Sequence, residues 1–188
     1  TAPREANVTY DGKTNPIIGI GYKAEAFDPK SKSSVARELI GDLAFGSNSD
    51  LYKKLYLKEQ KVQYVAPYFP QNRDPFLSLV TTMVNNPKDI PYVETEIQKA
   101  IDNLQNNLID TKKLDDLKKR NKYGFLMSLD TPANLTESLA RLVAITGGMD
   151  VVEQYYNTLS TITPQDIQNE AKTMTPSQRT TIVLKGAK

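Results

Sequence analysis

The sequence contains no histidine and no cysteine among its 188 residues. Proteins bind zinc almost always through His nitrogen, Cys sulfur or both, so a conventional zinc site is excluded on this chain. The same two absences remove the commonest general acid–base group and the thiolate nucleophile. An enzyme built from this chain alone would therefore have to use Asp, Glu, Ser, Thr, Lys and Tyr.

Other features are absent too, and they narrow the class of protein. No apolar run approaches the ~18 residues that a membrane-spanning helix needs, and the start of the sequence has no apolar core of a signal peptide. The formal net charge of +2 is too small to indicate nucleic acid or an anionic membrane as the partner. A hydrophobic content of 39% in a chain of this length predicts one globular domain with a substantial core.

Alternation and helical spacing predict an α+β fold. We expect a mostly antiparallel sheet packed on one face by several helices, in the order β-α-α-β-β-α(several)-β. Residues 1–14 are polar and show no convincing hydrophobic periodicity, so we expect them to be a lead-in or linker. Residues 15–188 are expected to form a single domain. The predicted elements are a strand at 16–24, a helix at 35–44, a short helix after Ser49, a hairpin of strands at 62–69 and 76–84, helices from about 90 to 174, and a strand at 180–184.

Local signals add detail to this outline. Val62, Tyr64, Ala66 and Tyr68 are expected to share one face of their strand. Gly46 is expected to end the first helix, and Thr111 to cap a later one. Thr163 followed by Pro164 and Asp166 forms a capping pattern that predicts another helix start.

Several short motifs indicate chemistry only weakly. Gly19-Ile20-Gly21 lacks the third glycine of a dinucleotide loop and lies inside a predicted strand, so sheet packing is favoured. The basic stretch 112–122 contains Asp115 and Asp116 and is typical of a solvated helix face. These carboxylates and Asp28 fit no calcium-loop pattern. Ser49 and Lys53 have the spacing of a dyad on a helix, but capping by Ser49 is the simpler interpretation.

A set of longer blocks resembles a known family when taken in order. The segment 43–55, LAFGSNSDLYKKL, is similar to the "FGS-x-S-x-LYK-x-L" signature of pitrilysin/insulinase zinc metallopeptidases, and especially to their C-terminal, non-catalytic type of domain. Further blocks of the same family pattern are Glu59-Gln60, FLMSLDTP at 125–132, TPQDI at 163–167 and RTTIVL at 179–184. The resemblance covers about residues 15–185, with the blocks in the expected order and spacing.

The resemblance implies that catalysis and substrate enclosure are carried by different domains. Members of this family enclose peptides in a chamber built from homologous α+β domains. One domain carries an H-x-x-E-H zinc motif, which lets the metal and the Glu activate a water. The peptide lies along a sheet edge as an added strand. Because this chain has no His, the resemblance assigns it no cofactor of its own and implies that zinc lies on a partner domain or subunit with that motif.

One candidate substrate-binding residue follows from the resemblance. In active relatives, a Tyr and an Arg from this type of domain approach the bound peptide, and Tyr64 occupies a plausible Tyr position; packing on the sheet is its alternative role. No Arg occurs between Arg37 and Arg73, and Asp50 and Tyr56 stand where the Arg would be expected. No catalytic or metal-binding residue is predicted.

Three functions follow from these observations. The leading hypothesis is a non-catalytic, substrate-enclosing domain of a bacterial zinc metallopeptidase, inactive alone, with a peptide substrate and a catalytic domain as partners. The alternative is a structural or assembly module that keeps the peptidase fold without catalysis, which the missing Arg is compatible with. The third is a free-standing binding domain of another family. Bacterial relatives are often periplasmic or otherwise extracytoplasmic, but the sequence does not fix the compartment.

Overall fold

Five strands form one mixed sheet in the computed structural model, which describes residues 2–187. Along the sheet the strand order is β1-β5-β2-β4-β3, with β1 parallel to β5 and the other neighbouring pairs antiparallel. The expected α+β class with a mostly antiparallel sheet is confirmed, with one parallel pair added. The strands are β1 (Arg4–Tyr10), β2 (Ile17–Ala24), β3 (Val62–Tyr68), β4 (Phe76–Val84) and β5 (Arg179–Gly186).

The helices follow β2 and β4 in two groups. The described helices, in residues 2–187, lack the combination of length and hydropathy needed to cross a bilayer. They are α1 (Lys32–Phe45), α2 (Asp50–Tyr52) continued by a π-helix (Lys53–Lys58), α3 (Ile90–Asn106), α4 (Thr111–Ser128), α5 (Pro132–Thr146), α6 (Val151–Thr161) and α7 (Pro164–Ala171).

Side-chain caps define the helix starts. The Thr163 hydroxyl accepts the Asp166 N–H while the Asp166 carboxylate accepts the Thr163 N–H, so the predicted capping box is confirmed. The expectation for Thr111 is wrong by one residue, because the Asp110 carboxylate caps α4 by accepting the Lys113 N–H at 2.9 Å. Gly46 ends α1 as predicted, but in extended backbone with φ −64° and not in the left-handed conformation that favours glycine.

The core lies between one face of the sheet and the helices. Ile18, Ile20 and Tyr22 of β2 are almost completely buried, as their alternation predicts. They belong to one apolar cluster with Leu39 and Ile40 of α1. Because their apolar residues recur every three to four positions, α3 and α7 each turn one buried stripe towards this layer, whereas α5 has no buried residue.

The structure corrects the expectation for the start of the chain. Arg4–Tyr10, expected to be part of a lead-in or linker, is the edge strand β1, paired in parallel register from Arg4↔Thr180 to Tyr10↔Gly186. All seven residues of β1 are exposed. Ala6, Val8 and Tyr10 alternate with polar residues, but this alternation is short and wholly exposed, so the sequence does not distinguish a strand here from an extended lead-in. The assignment of 15–188 as a single domain stays a prediction.

A bulge corrects the expected face pattern of β3. The register of β3 against β4 shifts between Val62 and Tyr64, so one extra residue lies in β3 at that point. As a result Val62 and Val65 are buried, whereas Tyr64 is only partly buried and Ala66 is exposed. Val62 therefore does not share a face with Tyr64, Ala66 and Tyr68, because an inserted residue exchanges the two faces of the strand beyond it.

Candidate functional surface

The sheet has one face without helices, which we call the open face. The helix-packed face carries Ile18, Val80 and Val183, all buried. Residues paired across neighbouring strands point to the same side, so the strand register identifies the residues of the other face. The open face carries Arg4, Ala6, Val8 and Tyr10 of β1, Thr180, Ile182 and Leu184 of β5, Ile17, Gly19, Gly21 and Lys23 of β2, Leu77, Leu79, Thr81 and Met83 of β4, and Tyr64, Ala66 and Tyr68 of β3.

Most residues of the open face are apolar, and its charged and threonine members are Arg4, Lys23, Thr81 and Thr180. One row of paired residues crosses all five strands and consists of Val8, Leu184, Ile17, Met83 and Tyr64. The exposed fractions of Val8, Tyr10, Ile182 and Tyr68 lie between 43% and 53%. A continuous exposed apolar surface of this kind typically marks an interaction site.

Tyr64, the predicted substrate-binding residue, lies on the open face directly after the β3 bulge. It pairs with Met83, and its backbone oxygen accepts a hydrogen bond from the Thr82 hydroxyl at 2.6 Å. β3 is at the edge of the sheet, so the side chain lies at the margin of the open face. The phenol ring is partly buried among strand neighbours.

The two residues expected at the missing Arg position are not on the sheet. Asp50 begins α2, is largely exposed and lies 3.7 Å from Lys113 Nζ. Tyr56 belongs to the π-helix, and its ring centroid lies 4.8 Å from that of Tyr52. Neither side chain offers the cationic group that the resemblance expects beside Tyr64.

A charged network attaches the π-helix to α3. Glu96 accepts Lys54 Nζ at 2.6 Å and Lys99 Nζ at 2.8 Å, and the Lys54 ammonium lies 5.5 Å from the centroid of the Tyr92 ring. The hydrogen bond from Lys54, and then that from Lys99, lowers the pKa of the Glu96 carboxyl. The same bond to Glu96 raises the pKa of Lys54. Both groups stay charged at neutral pH, and we interpret this network as structural.

The other sequence motifs have structural explanations. A Cβ added to Gly21 would lie 2.8 Å from the Leu79 side chain, so this glycine permits close packing within the sheet. The Ser49 hydroxyl caps α2 by accepting the Tyr52 N–H at 3.1 Å and is not paired with Lys53. Asp28 accepts the Lys30 N–H in a turn.

The charged stretch of α4 includes one lysine with a structural role. Lys118 Nζ donates to the Ile162 carbonyl at 2.5 Å and lies 3.6 Å from Asp115. In the part of the chain that the structure describes, no group of three or more Asp, Glu, His or Cys residues could hold a metal ion.

Solved structures show which fold this is. Across 98% of its length the chain superposes on a protease from Helicobacter pylori with a TM-score of 0.88 and 23% sequence identity. It superposes over its full length on the inactive domain of a peptidase M16 from Pseudomonas fluorescens, with a TM-score of 0.79 and 11% identity. The chain has the M16 peptidase-like fold. A third structure, the periplasmic protease PqqL from Escherichia coli, gives a TM-score of 0.70 and 11% identity over 99% of the chain.

These similarities confirm the fold expected for a non-catalytic M16-like domain, and identities this low carry the fold alone. No protein-family model and no curated protein sequence matches the chain. The chain spans 44% of the Helicobacter protein, 44% of the Pseudomonas protein and 21% of PqqL, so it corresponds to less than half of each. The activities of those longer proteins are therefore not assigned to this chain on the basis of the shared fold.

Proposed function

We propose that this chain is a non-catalytic domain of a zinc metallopeptidase of the pitrilysin/insulinase type. In this role it forms part of the wall of a peptide-binding chamber, opposite a separate H-x-x-E-H domain. The observation that carries the proposal is the open face: an M16-like sheet exposes an apolar surface with Tyr64 at its margin. An apolar wall suits this task because it excludes water and contacts peptide side chains without demanding one sequence.

The chemistry of the chain supports a division of labour. With no His or Cys in the sequence, the ligands that hold catalytic zinc would have to come from a partner domain or subunit. The part of this chain that would meet a peptide is then the sheet surface and the Tyr64 hydroxyl, which can donate a hydrogen bond to a peptide carbonyl. The contribution of this domain is positioning and enclosure of the substrate.

The first experiment compares the peptidase activity of the isolated chain with that of the chain joined to a catalytic domain. The purified chain is assayed with Zn²⁺ and a quenched fluorescent peptide library, alone and joined to the H-x-x-E-H domain encoded in its own or a neighbouring gene. We expect cleavage only in the joined form. Hydrolysis by the chain alone that survives removal of contaminants would overturn the proposal, and a joined form that never cleaves peptides would favour the structural or assembly role.

The second experiment tests the open face. Ile182→Lys places a charge on the open face, where Ile182 is 43% exposed, and should lower kcat/KM of the joined form by disturbing the chamber wall. The matched control is Leu108→Lys, because Leu108 is 58% exposed in the connection between α3 and α4, away from the sheet. Equal activity of the two variants would show that the open face does not contact the substrate.

A third experiment tests Tyr64 itself. Tyr64→Phe removes only the hydroxyl and should reduce kcat/KM of the joined form about 2- to 10-fold, the effect of one hydrogen bond worth roughly 0.5–1.5 kcal/mol. Tyr68→Phe, on the same strand and face, is the control and should have a smaller effect. If both variants retain full activity, Tyr64 serves only to pack against the sheet.

A further inference from the structure

A cavity lies among the helices, beside the end of strand β3. It is bounded by α1, the end of β3 and the β3–β4 connection, α4, α5 and α6, and its volume is ≈ 890 Å³. That volume falls within the range of small-molecule and side-chain binding pockets, about 300–1,000 Å³. The cavity does not include Tyr64, and of the open-face residues named above it shares only Tyr68.

Aromatic rings form one wall of this cavity. The ring centroids of Phe27 and Tyr155 are 6.1 Å apart, those of Tyr155 and Tyr156 are 5.1 Å apart, and those of Tyr156 and Phe125 are 5.6 Å apart. All four side chains line the cavity. Aromatic faces are electron-rich, so a wall of this kind attracts cations as well as apolar groups.

Two carboxylates of α1 lie in the same cavity. Glu38 and Asp42 are one helical turn apart and both are partly buried. Their hydrogen-bond partners are neutral: Gln71 Nε2 donates to Glu38 at 2.9 Å, the Tyr155 hydroxyl also bonds Glu38, and Asn121 Nδ2 lies 3.4 Å from Asp42. Within residues 2–187 neither carboxylate has a Lys or Arg nitrogen within the 4.0 Å of an ion pair.

We propose that this cavity binds an organic cation, either an alkylammonium or a guanidinium group, between the aromatic wall and the carboxylates of Glu38 and Asp42. A buried carboxylate normally requires a compensating cation, and the hydrogen-bond partners of these two are neutral: two amides and the Tyr155 hydroxyl. A flexible side chain such as that of lysine could place its stem against the aromatic rings and its charge at the carboxylates. The ligand is therefore a basic side chain of a peptide or a small free amine.

The other charged residues of the cavity form no ion pair with these carboxylates. Arg120, Glu137 and Arg141 also line the cavity and are exposed. Burial raises the pKa of the Glu38 carboxyl, and the hydrogen bonds from Gln71 and Tyr155 offset this only in part. The charge of Arg141 lowers the pKa of Glu38 and that of Asp42 raises it, but both effects are smaller than that of burial. This shift agrees with a carboxylate that lacks a close cationic partner.

The inference rests on other residues than the proposed function. The chamber role rests on the open face, whereas this site rests on Glu38, Asp42 and the aromatic wall among the helices, and the two surfaces share only Tyr68. Failure of the chamber hypothesis would leave the cavity unchanged, and an empty cavity would leave the open face unchanged.

The test is calorimetric titration of the chain with N-acetyl-lysine methylamide, and with N-acetyl-norleucine methylamide as the neutral control of similar shape. We expect the lysine compound to bind and the norleucine compound to bind at least about tenfold more weakly, because a charged hydrogen bond is worth roughly 1.5–3 kcal/mol. Equal binding of the two compounds, or no binding of the lysine compound, would overturn the proposal. Pentylamine and a lysine-containing peptide, titrated in parallel, distinguish a free amine from a peptide side chain.

Lysine binding measured with variants and at several pH values tests whether Glu38 forms the site. Glu38→Gln should weaken lysine binding about tenfold or more, whereas Glu153→Gln, on an exposed part of α6 outside the cavity, should leave it unchanged. Because the cation prefers the ionised Glu38, binding should strengthen with rising pH and release a proton, seen as a dependence on the buffer's ionisation heat. Binding that Glu38→Gln leaves intact would place the ligand elsewhere and refute this site. The comparison of lysine with norleucine on the unaltered chain stands even if the variant folds poorly.

Discussion

The Nε atom of Arg37 on α1 lies 2.6 Å from the Oε1 atom of Glu170 on α7. The Ser33 hydroxyl donates to the other carboxylate oxygen at 2.5 Å, and Arg37 Nη2 donates to Thr173 at 2.7 Å. The two charged side chains are only 14% and 7% exposed. This cluster joins helices that are more than 100 residues apart in the sequence and holds α7 against the core.

Removing one member of this pair should destabilise the fold strongly. Arg37→Met leaves the Glu170 carboxylate buried without its cation, and we expect a loss of about 3–5 kcal/mol in the free energy of unfolding, measured by urea titration. The control is Lys113→Met, which removes an exposed pair with Asp50 at 3.7 Å and should cost about 0–1 kcal/mol. Similar losses in the two variants would show that the buried pair has no special role.

The bulge in β3 makes a second prediction about stability. Val65 is 7% exposed on the helix side, and the next residue, Ala66, is exposed on the open face. Val65→Asp should destabilise the protein by roughly 3 kcal/mol or more, because it buries an unpaired charge, whereas Ala66→Asp should change stability by about 0.5 kcal/mol or less. Thermal unfolding of both variants checks this. The opposite ranking would mean that β3 follows the unbroken alternation beginning at Val62.

Most of the fold could be predicted because its signals are local. Alternation in β2, helical spacing in α1 and the Thr163 cap depend on residues within one or two turns, and each is observed. The exposed strand β1 and the bulge in β3 were missed for a physical reason. Both are defined by backbone pairing with a neighbouring strand, and side-chain patterning does not record that pairing.

The candidate sites could be predicted much less completely. Tyr64 was identified through the family resemblance, but the apolar row that ends at Tyr64 exists only because five separate strands adopt the order β1-β5-β2-β4-β3. The cavity combines Glu38 with Tyr155, which are 117 positions apart in the sequence. A single sequence contains no signal for contacts of this range, since periodicity reports only on neighbours along the chain.

The capping box at the start of α7 makes a third prediction. The Thr163 hydroxyl accepts the Asp166 N–H at 3.2 Å, which satisfies one of the free donors of the first turn. Thr163→Ala should therefore lower the free energy of unfolding by about 1 kcal/mol. Thr161→Ala is the control, since the Thr161 hydroxyl donates only to a carbonyl of its own helix, and it should cost about 0.5 kcal/mol or less. Equal urea midpoints for the two variants would argue against a stabilising cap.

Glu38 should make the stability of the protein depend on pH in a predictable direction. Burial raises the pKa of its carboxyl above the ordinary value of 4.5, so the folded state binds the proton more tightly than the unfolded state does. The resulting stabilisation is fully present below the unfolded pKa and is lost as pH rises through the higher folded pKa. Relative to Glu38→Gln, the original protein should therefore lose stability as pH rises above the ordinary carboxyl pKa of 4.5, measured by urea unfolding at several pH values. The exposed Glu153→Gln variant should show a smaller pH-dependent difference, and a constant difference for Glu38→Gln would mean that its carboxyl is well solvated in the folded protein.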